Sequence, residues 1–85
     1  MTSEDIFLKL ISIISLYLPE DVSAEAITIE SNLTSELNIN SAYLVDVVLD
    51  VEDTFDIAFA NADMEQLQTV QDAIDIIQNK LTKKG

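Results

Sequence analysis

Residues 40–55, NSAYLVDVVLDVEDTF, decide the fold class because their large apolar side chains recur at helical spacing. At about 100° per residue these side chains fall within about a third of the helix circumference. They form a stripe that a core must cover: Leu44, Val47, Val48, Val51 and Phe55. The stretch therefore predicts an amphipathic helix that begins at Ser41, with Asn40 as its N-cap.

Helical spacing also predicts a first helix over about residues 3–17. Thr2 and Asp5 form a weak capping box at its start, and Pro19 disfavours helical geometry just beyond its end. Residues 19–39 are predicted to be a long connection, and loops of this length are often functional. Four apolar side chains are expected to tie the connection to the core: Ile27, Ile29, Leu33 and Leu37.

Two more helices are predicted after the second one. A short helix over about residues 62–67, capped by Asn61, directs Met64 and Leu67 inward. Thr69 opens the last helix with another weak capping box. The apolar positions of this last helix are Val70, Ala73, Ile74, Ile77 and Leu81.

Composition supports an all-α fold. The 85 residues include one proline and a single, terminal glycine, which are too few turn-forming residues for a chain of short hairpins. The length suits one domain. We therefore expect a single domain over residues 1–85, a small four-helix bundle with three main helices, one short helix and a long first loop.

The charge balance limits the partners. Sixteen Asp and Glu stand against four Lys, for a formal net charge of −12. This negative field opposes binding to nucleic acid and to anionic membranes, and it attracts basic protein partners. The most apolar stretch, residues 7–18, is short and contains Lys9, so it predicts neither a transmembrane span nor a signal peptide. A cytoplasmic location is expected.

The residue inventory argues against an enzyme. There is no cysteine and no histidine, which removes thiolate zinc sites, a cysteine nucleophile and the commonest general base. The acidic run that begins at Asp46 has a helical pattern without the glycine of a calcium loop, so no metal site is expected.

Ser41 is the first candidate for chemistry. A serine at a helix start often only helps to cap the helix. No adjacent base is available to activate its hydroxyl, so if Ser41 reacts, another protein must supply the catalysis. A helix N-terminus is nevertheless well suited to hold a phosphate, because its unpaired N–H groups and its dipole both favour negative charge.

The outward face of the second helix is the second candidate. Three residues lie off the core stripe on the same side as Ser41: Val45, Leu49 and Glu52. Three carboxylates lie beside them: Asp46, Asp50 and Asp53. A solvated acidic face explains the carboxylates, whereas exposed apolar residues bordered by charge indicate a surface for docking another protein.

These segments together resemble the acyl carrier proteins. The family carries an Asp-Ser-Leu signature at the start of its second helix, and this chain has Asn40-Ser41-Ala42 followed by VDVVLDVEDTFD. TVQDAIDII, residues 69–77, is similar to the start of the family's last helix. Leu33 and the pair Glu36-Leu37 also suit the family pattern. The likeness covers about residues 30–77.

The resemblance implies a function for Ser41. In the family, a phosphopantetheinyl transferase with Mg²⁺ attaches 4′-phosphopantetheine from coenzyme A to the serine hydroxyl. The protein is then a monomeric carrier. Acyl-transfer or synthase enzymes dock on it through their own basic patches. The docking positions that the family pattern implies are Val45, Asp46, Leu49, Glu52 and Asp53. The core stripe would bound a cavity for the acyl chain.

Three departures from the family pattern indicate a specialised carrier. Asn40 replaces the signature Asp, Ala42 replaces the signature Leu, and Asn38 stands where the family often has Gly. They favour a lipid or secondary-metabolite pathway other than housekeeping fatty acid biosynthesis. An aminoacyl or peptidyl carrier of the same fold, and an unmodified helical adaptor, remain alternatives.

Overall fold

The computed structural model describes residues 2–18, 20, 22–37 and 39–84. The elements over these ranges confirm the all-α prediction, with three main helices and one short helix. They are α1 (Ser3–Ile14), a 3₁₀ turn (Ala24–Ala26), α2 (Ser41–Phe55), α3 (Asn61–Gln66) and α4 (Val70–Lys84). Two of the residues singled out in the sequence, Pro19 and Asn38, lie outside the described residues.

The first helix begins as predicted but ends earlier. The Thr2 hydroxyl accepts a hydrogen bond from the Asp5 N–H at 3.1 Å, and the Asp5 carboxylate accepts one from the Thr2 N–H at 3.4 Å. This reciprocal pair is the predicted capping box. α1 stops at Ile14, so the predicted end at Tyr17 was wrong by three residues. The chain tightens into i→i−3 bonds there, and the Tyr17 N–H donates to the Ile14 carbonyl at 2.9 Å.

α2 follows the prediction closely. Its N-cap is Asn40, whose side-chain oxygen accepts a hydrogen bond from the Tyr43 N–H at 2.9 Å. The helix ends at Phe55, and its C-cap, Asp56, adopts the left-handed conformation at φ 55° and donates its N–H to the Glu52 carbonyl. Asp is one of the residues that tolerate this conformation. The predicted stripe is buried at Val47, Val48, Val51 and Phe55, and Leu44 is half-buried.

α3 begins one residue earlier than predicted. Its N-cap is Ala60, so the prediction of Asn61 as the cap was wrong. Alanine has no side-chain acceptor, and the capping contact comes instead from the Asp63 carboxylate, which accepts the Ala60 N–H at 2.8 Å. Leu67 is buried directly after the helix, and Met64 packs half-buried against the core.

α4 opens with the predicted capping box. The Thr69 hydroxyl accepts the Asp72 N–H at 3.2 Å, and the Asp72 carboxylate accepts the Thr69 N–H at 3.0 Å. The predicted apolar positions are buried at Val70, Ala73, Ile74 and Ile77, and Leu81 is half-buried. Ile76 is also buried, which the sequence pattern did not predict.

The long connection is tied to the start of α4 by backbone hydrogen bonds. An isolated β-bridge joins Asn32 to Thr69, and the Gln71 N–H donates to the Ile29 carbonyl at 2.8 Å. Three predicted anchors are buried: Ile27, Leu33 and Leu37. The fourth was wrong, because Ile29 contributes its carbonyl while its side chain remains 46% exposed. Ile39, which was not among the predicted anchors, is fully buried.

The relative directions of α1 and α2 determine which of their ends lie together. α1 packs on both α2 and α4. The Tyr17 ring lies beside Tyr43 and the Lys9 ammonium lies over Phe55, so α1 runs antiparallel to α2. Consequently Ser41 lies at the end where α1 terminates.

The two isoleucines of the connection provide a matched test of this packing. Ile39→Ala should lower the free energy of unfolding by about 2–5 kcal/mol, because it leaves a cavity in the core. Ile29→Ala, the same change on an exposed side chain, should alter it by no more than about 0.5 kcal/mol. Urea denaturation measures both values. Equal effects of the two changes would contradict the assignment of Ile39 as the anchor.

Candidate functional site

Ser41 is exposed at the first position of α2. The Asn40 side chain supplies the capping contact to Tyr43, so the serine is not needed as a cap. Within the described part of the chain, the Ser41 hydroxyl makes no hydrogen bond, and the same is true of the N–H groups of Ser41 and Ala42. The site therefore combines an accessible hydroxyl with the unpaired donors of a helix N-terminus, which attract negative charge.

The residues predicted to dock partners lie on one exposed surface of α2. Val45 is 48% exposed and Leu49 is 56% exposed, although both are large and apolar. Asp46 and Asp53 are exposed beside them and make no hydrogen bond or ion pair with any described side chain. We call these four residues the α2 surface. It has an apolar centre next to free carboxylates, as protein-docking patches often do.

Glu52, also predicted to dock partners, has a structural contact that the sequence did not reveal. Its carboxylate accepts a hydrogen bond from the Phe59 N–H at 2.7 Å, and the side chain is half-buried. This bond ties the last turn of α2 to the segment that leads into α3. The two residues lie seven positions apart across an irregular segment, so no periodic pattern indicates the contact.

Asp50 also has an intramolecular partner. The Tyr17 hydroxyl donates a hydrogen bond to its carboxylate at 2.6 Å, across the seam between α1 and α2. This bond, with burial and the negative charges of Asp50 and Asp46, raises the pKa of Tyr17 to about 12. The Tyr17 ring also lies 6.0 Å from the Tyr43 ring, at an angle of 45°.

The core stripe of α2 borders a small cavity. Its volume is about 10 Å³, which is room for a single water at most. The lining side chains are Leu10, Ile14, Leu33, Val47, Val48, Val51, Phe59, Leu67, Ala73 and Ile77. A cavity that holds benzene measures about 150 Å³, so an acyl chain enters this core only if the lining residues move apart.

At the end of the molecule opposite Ser41, Lys80 connects α4 to α3 and to the segment before it. Its ammonium lies 2.8 Å from the Asp63 carboxylate and 5.8 Å from the centre of the Phe59 ring. The Lys80 contact and the Ala60 N–H lower the pKa of Asp63. A cleft of about 230 Å³ lies here between α3 and α4, far from Ser41. These contacts fasten α3 to α4.

The described ranges contain neither a candidate metal site nor a membrane-spanning helix. No group of three or more acidic side chains there is arranged to hold a metal ion. None of the described helices has the length and apolar character to cross a membrane.

Residues 9–77 match the protein family described as "Phosphopantetheine attachment site". The acyl carrier protein of Coprothermobacter proteolyticus is 43% identical over 63 residues, which are 74% of this chain and 77% of the relative. The acyl carrier protein of Thermotoga maritima is 41% identical over 78 residues, 92% and 94% of the two chains. A solved structure of the acyl carrier protein from Enterococcus faecalis has a TM-score of 0.77 at 32% identity, and the match covers 94% of this chain and 99% of that one.

The fold and the family match define a phosphopantetheine-bearing carrier, not an enzyme. The chain belongs to the acyl carrier protein family. The resemblance drawn from the Asn-Ser-Ala segment and the last helix is thereby confirmed, and so is a covalently attached 4′-phosphopantetheine as the cofactor. Membership also implies interaction with transferase and synthase enzymes.

The contact between Tyr17 and Asp50 predicts a pH-dependent stability. Because the neutral phenol donates the bond, folding favours the protonated form, and the contribution is complete below the ordinary pKa of 10.0. It should be lost as the pH rises from 10.0 to about 12. Tyr17→Phe should therefore lower the free energy of unfolding at neutral pH, and the difference from the wild type should narrow above pH 10.0.

Urea denaturation at a series of pH values measures this difference. Repulsion among the other charges acts on both proteins, so the comparison isolates the Tyr17 hydroxyl. Tyr43→Phe is the control, since its hydroxyl makes no hydrogen bond with a described residue. That change should have a smaller effect. A difference that stays constant across the whole pH range would contradict the role of Tyr17.

Proposed function

We propose that Ser41 is the residue that bears the 4′-phosphopantetheine, and that the protein carries acyl intermediates as thioesters on the terminal thiol of this arm. The observation that supports the assignment is the exposed hydroxyl of Ser41 at the first position of α2, which makes no hydrogen bond with a described residue. The residues present fit the group, because the unpaired N–H groups of Ser41 and Ala42 favour the negative phosphodiester.

In the proposed modification, the protein is the substrate of a phosphopantetheinyl transferase. The Ser41 Oγ attacks phosphorus and the diphosphate bond of coenzyme A breaks, so adenosine 3′,5′-bisphosphate leaves. The transferase must accept the serine proton, because this chain contains no histidine and the hydroxyl has no hydrogen-bonded base among the described residues. The carrier contributes an exposed nucleophile and a terminus that suits the new negative charge.

We assign the carrier to a specialised lipid or secondary-metabolite pathway on the residues that flank Ser41. Asn40 caps α2 through its side-chain oxygen, so the fold does not need the charge of the signature Asp. Ala42 is exposed, and it offers a partner a smaller apolar contact than the signature Leu. Both substitutions therefore act on recognition more than on folding.

Intact mass spectrometry of the protein, before and after incubation with coenzyme A, Mg²⁺ and a phosphopantetheinyl transferase of broad specificity, tests the assignment. The wild type should gain one phosphopantetheine, and Ser41→Ala should gain none. Ser35→Ala changes another exposed serine and should be modified like the wild type. Failure of the wild type to be modified by several transferases, with an unmodified mass from its native host, would overturn the proposal and favour an unmodified adaptor.

Partner enzymes are proposed to dock on the α2 surface, with Glu52 at its edge. Two apolar side chains would form the centre of the contact, and the carboxylates of Asp46 and Asp53 would meet a basic patch. The net charge of −12 would speed the encounter. Glu52 also accepts the hydrogen bond from the Phe59 N–H, so its charge and its hydrogen bond need separate tests.

Charge reversal on the α2 surface should weaken docking. Asp46→Lys or Asp53→Lys should raise the KM of the carrier in the transferase reaction about fivefold to tenfold at low salt, with little change in kcat. Glu65→Lys makes the same charge change on α3 and should have a small effect. Glu52→Gln keeps an acceptor for Phe59 and removes only the charge. Equal KM values for Asp46→Lys and Glu65→Lys would refute docking at this surface.

A further inference from the structure

Two tyrosines and two carboxylates form a cluster beside the α2 surface. Tyr43, Asp46 and Asp50 recur at i, i+3 and i+7 and so share one side of α2. Tyr17 joins them from the end of α1, through its 2.6 Å hydrogen bond to Asp50 and its ring contact with Tyr43. We call these four residues the tyrosine cluster. It begins in the first turn of α2, and one of its members, Asp46, also belongs to the α2 surface on which partners are proposed to dock.

Two members of the tyrosine cluster support the others, and two are exposed to a partner. Asp50 is half-buried and is occupied by Tyr17, so it fixes the position of the Tyr17 ring. The Tyr17 ring in turn supports one side of Tyr43. Tyr43 is 48% exposed and Asp46 is exposed, and neither has a hydrogen-bond partner for its side chain within the described ranges. An aromatic ring and a carboxylate are therefore available next to each other on the surface.

We propose that Tyr43 is a specificity-determining residue, whose ring receives the guanidinium of an arginine on a basic partner enzyme while Asp46 pairs with the same group. This inference rests on the proposed function, because it names one contact that a docked partner makes. It adds to the α2 surface a residue that the family pattern did not assign.

Charge and geometry select arginine as the occupant. The net charge of −12 favours a cationic partner and opposes an anionic lipid surface. Among protein cations, the guanidinium is planar and weakly hydrated, so it stacks on an aromatic ring and still presents N–H donors to a carboxylate. A lysine ammonium is strongly hydrated and makes only a point contact. Ca²⁺ and Mg²⁺ take six or more oxygen ligands, whereas the cluster offers one carboxylate without a partner in the described ranges.

The test compares two peptides on the unmodified protein. Hexaarginine and hexalysine carry the same formal charge, so their general attraction to an acidic surface is similar. At low salt, titration followed by ¹⁵N–¹H NMR should give wild-type protein a preference for hexaarginine of about twofold to fivefold, which corresponds to an exposed cation–π contact. The largest shifts should lie around Tyr43 and Asp46.

Variants separate the ring from the charge. Tyr43→Ala should abolish the preference between the peptides, whereas Tyr43→Phe should keep it because the ring face remains. Ile29→Ala is the matched control, since Ile29 is 46% exposed and lies outside α2, and it should leave the preference unchanged. Asp46→Asn should weaken the binding of hexaarginine.

The outcomes distinguish this inference from the proposed function. Equal binding of both peptides by the wild type, or an undiminished preference in Tyr43→Ala, would overturn the role of Tyr43 whatever happens at Ser41. Binding of hexaarginine that shifts residues remote from the cluster would overturn it as well. The mass experiment reports whether Ser41 is modified, and a lack of modification would overturn only the proposed function. The role of Tyr43 is tested independently, because the peptide titration uses unmodified protein.

Discussion

Burial of the apolar stripe of α2 is the constraint on which the rest of the structure depends. Its four buried residues, Val47, Val48, Val51 and Phe55, fix the rotation of the helix about its own axis. Each such side chain, fully buried, contributes about 1.5–3 kcal/mol, a large share of the net stability of so small a domain. A rotated helix would lose that contribution. The stripe thereby keeps the α2 surface in solvent and Ser41 at an accessible helix start.

The outward residues of α2 divide into two groups with different roles. Asp46 and Asp53 make no hydrogen bond or ion pair with a described residue, and with Val45 and Leu49 they stay exposed for a partner to contact. The other two acidic residues of the helix are engaged: Asp50 joins α2 to α1, and Glu52 joins it to the segment before α3. One helix therefore provides a docking surface and two of the contacts that hold its neighbours.

Much of this was predictable because it depends on local rules. Helical spacing and capping residues placed the start of α2 at Ser41 and the opening of α4 at Thr69, since these signals act within one or two turns. One error arose where distant groups compete for the backbone. Ile29 was predicted to be buried, yet its carbonyl pairs with the Gln71 N–H and its side chain stays in solvent. The end of α1 was misplaced because a tightened final turn leaves no periodic signature.

By itself, the sequence determined the all-α class, the position of Ser41 at a helix start, the acidic field and the likeness to acyl carrier proteins. Each of these depends on composition or on neighbours within a few residues. Only the tertiary structure decided that Asp50 accepts a hydrogen bond from Tyr17 and that Glu52 accepts one from the Phe59 N–H. It also decided that the core cavity measures about 10 Å³. Such contacts join residues on different elements, and the choice between a free and an engaged carboxylate depends on the geometry that packing imposes.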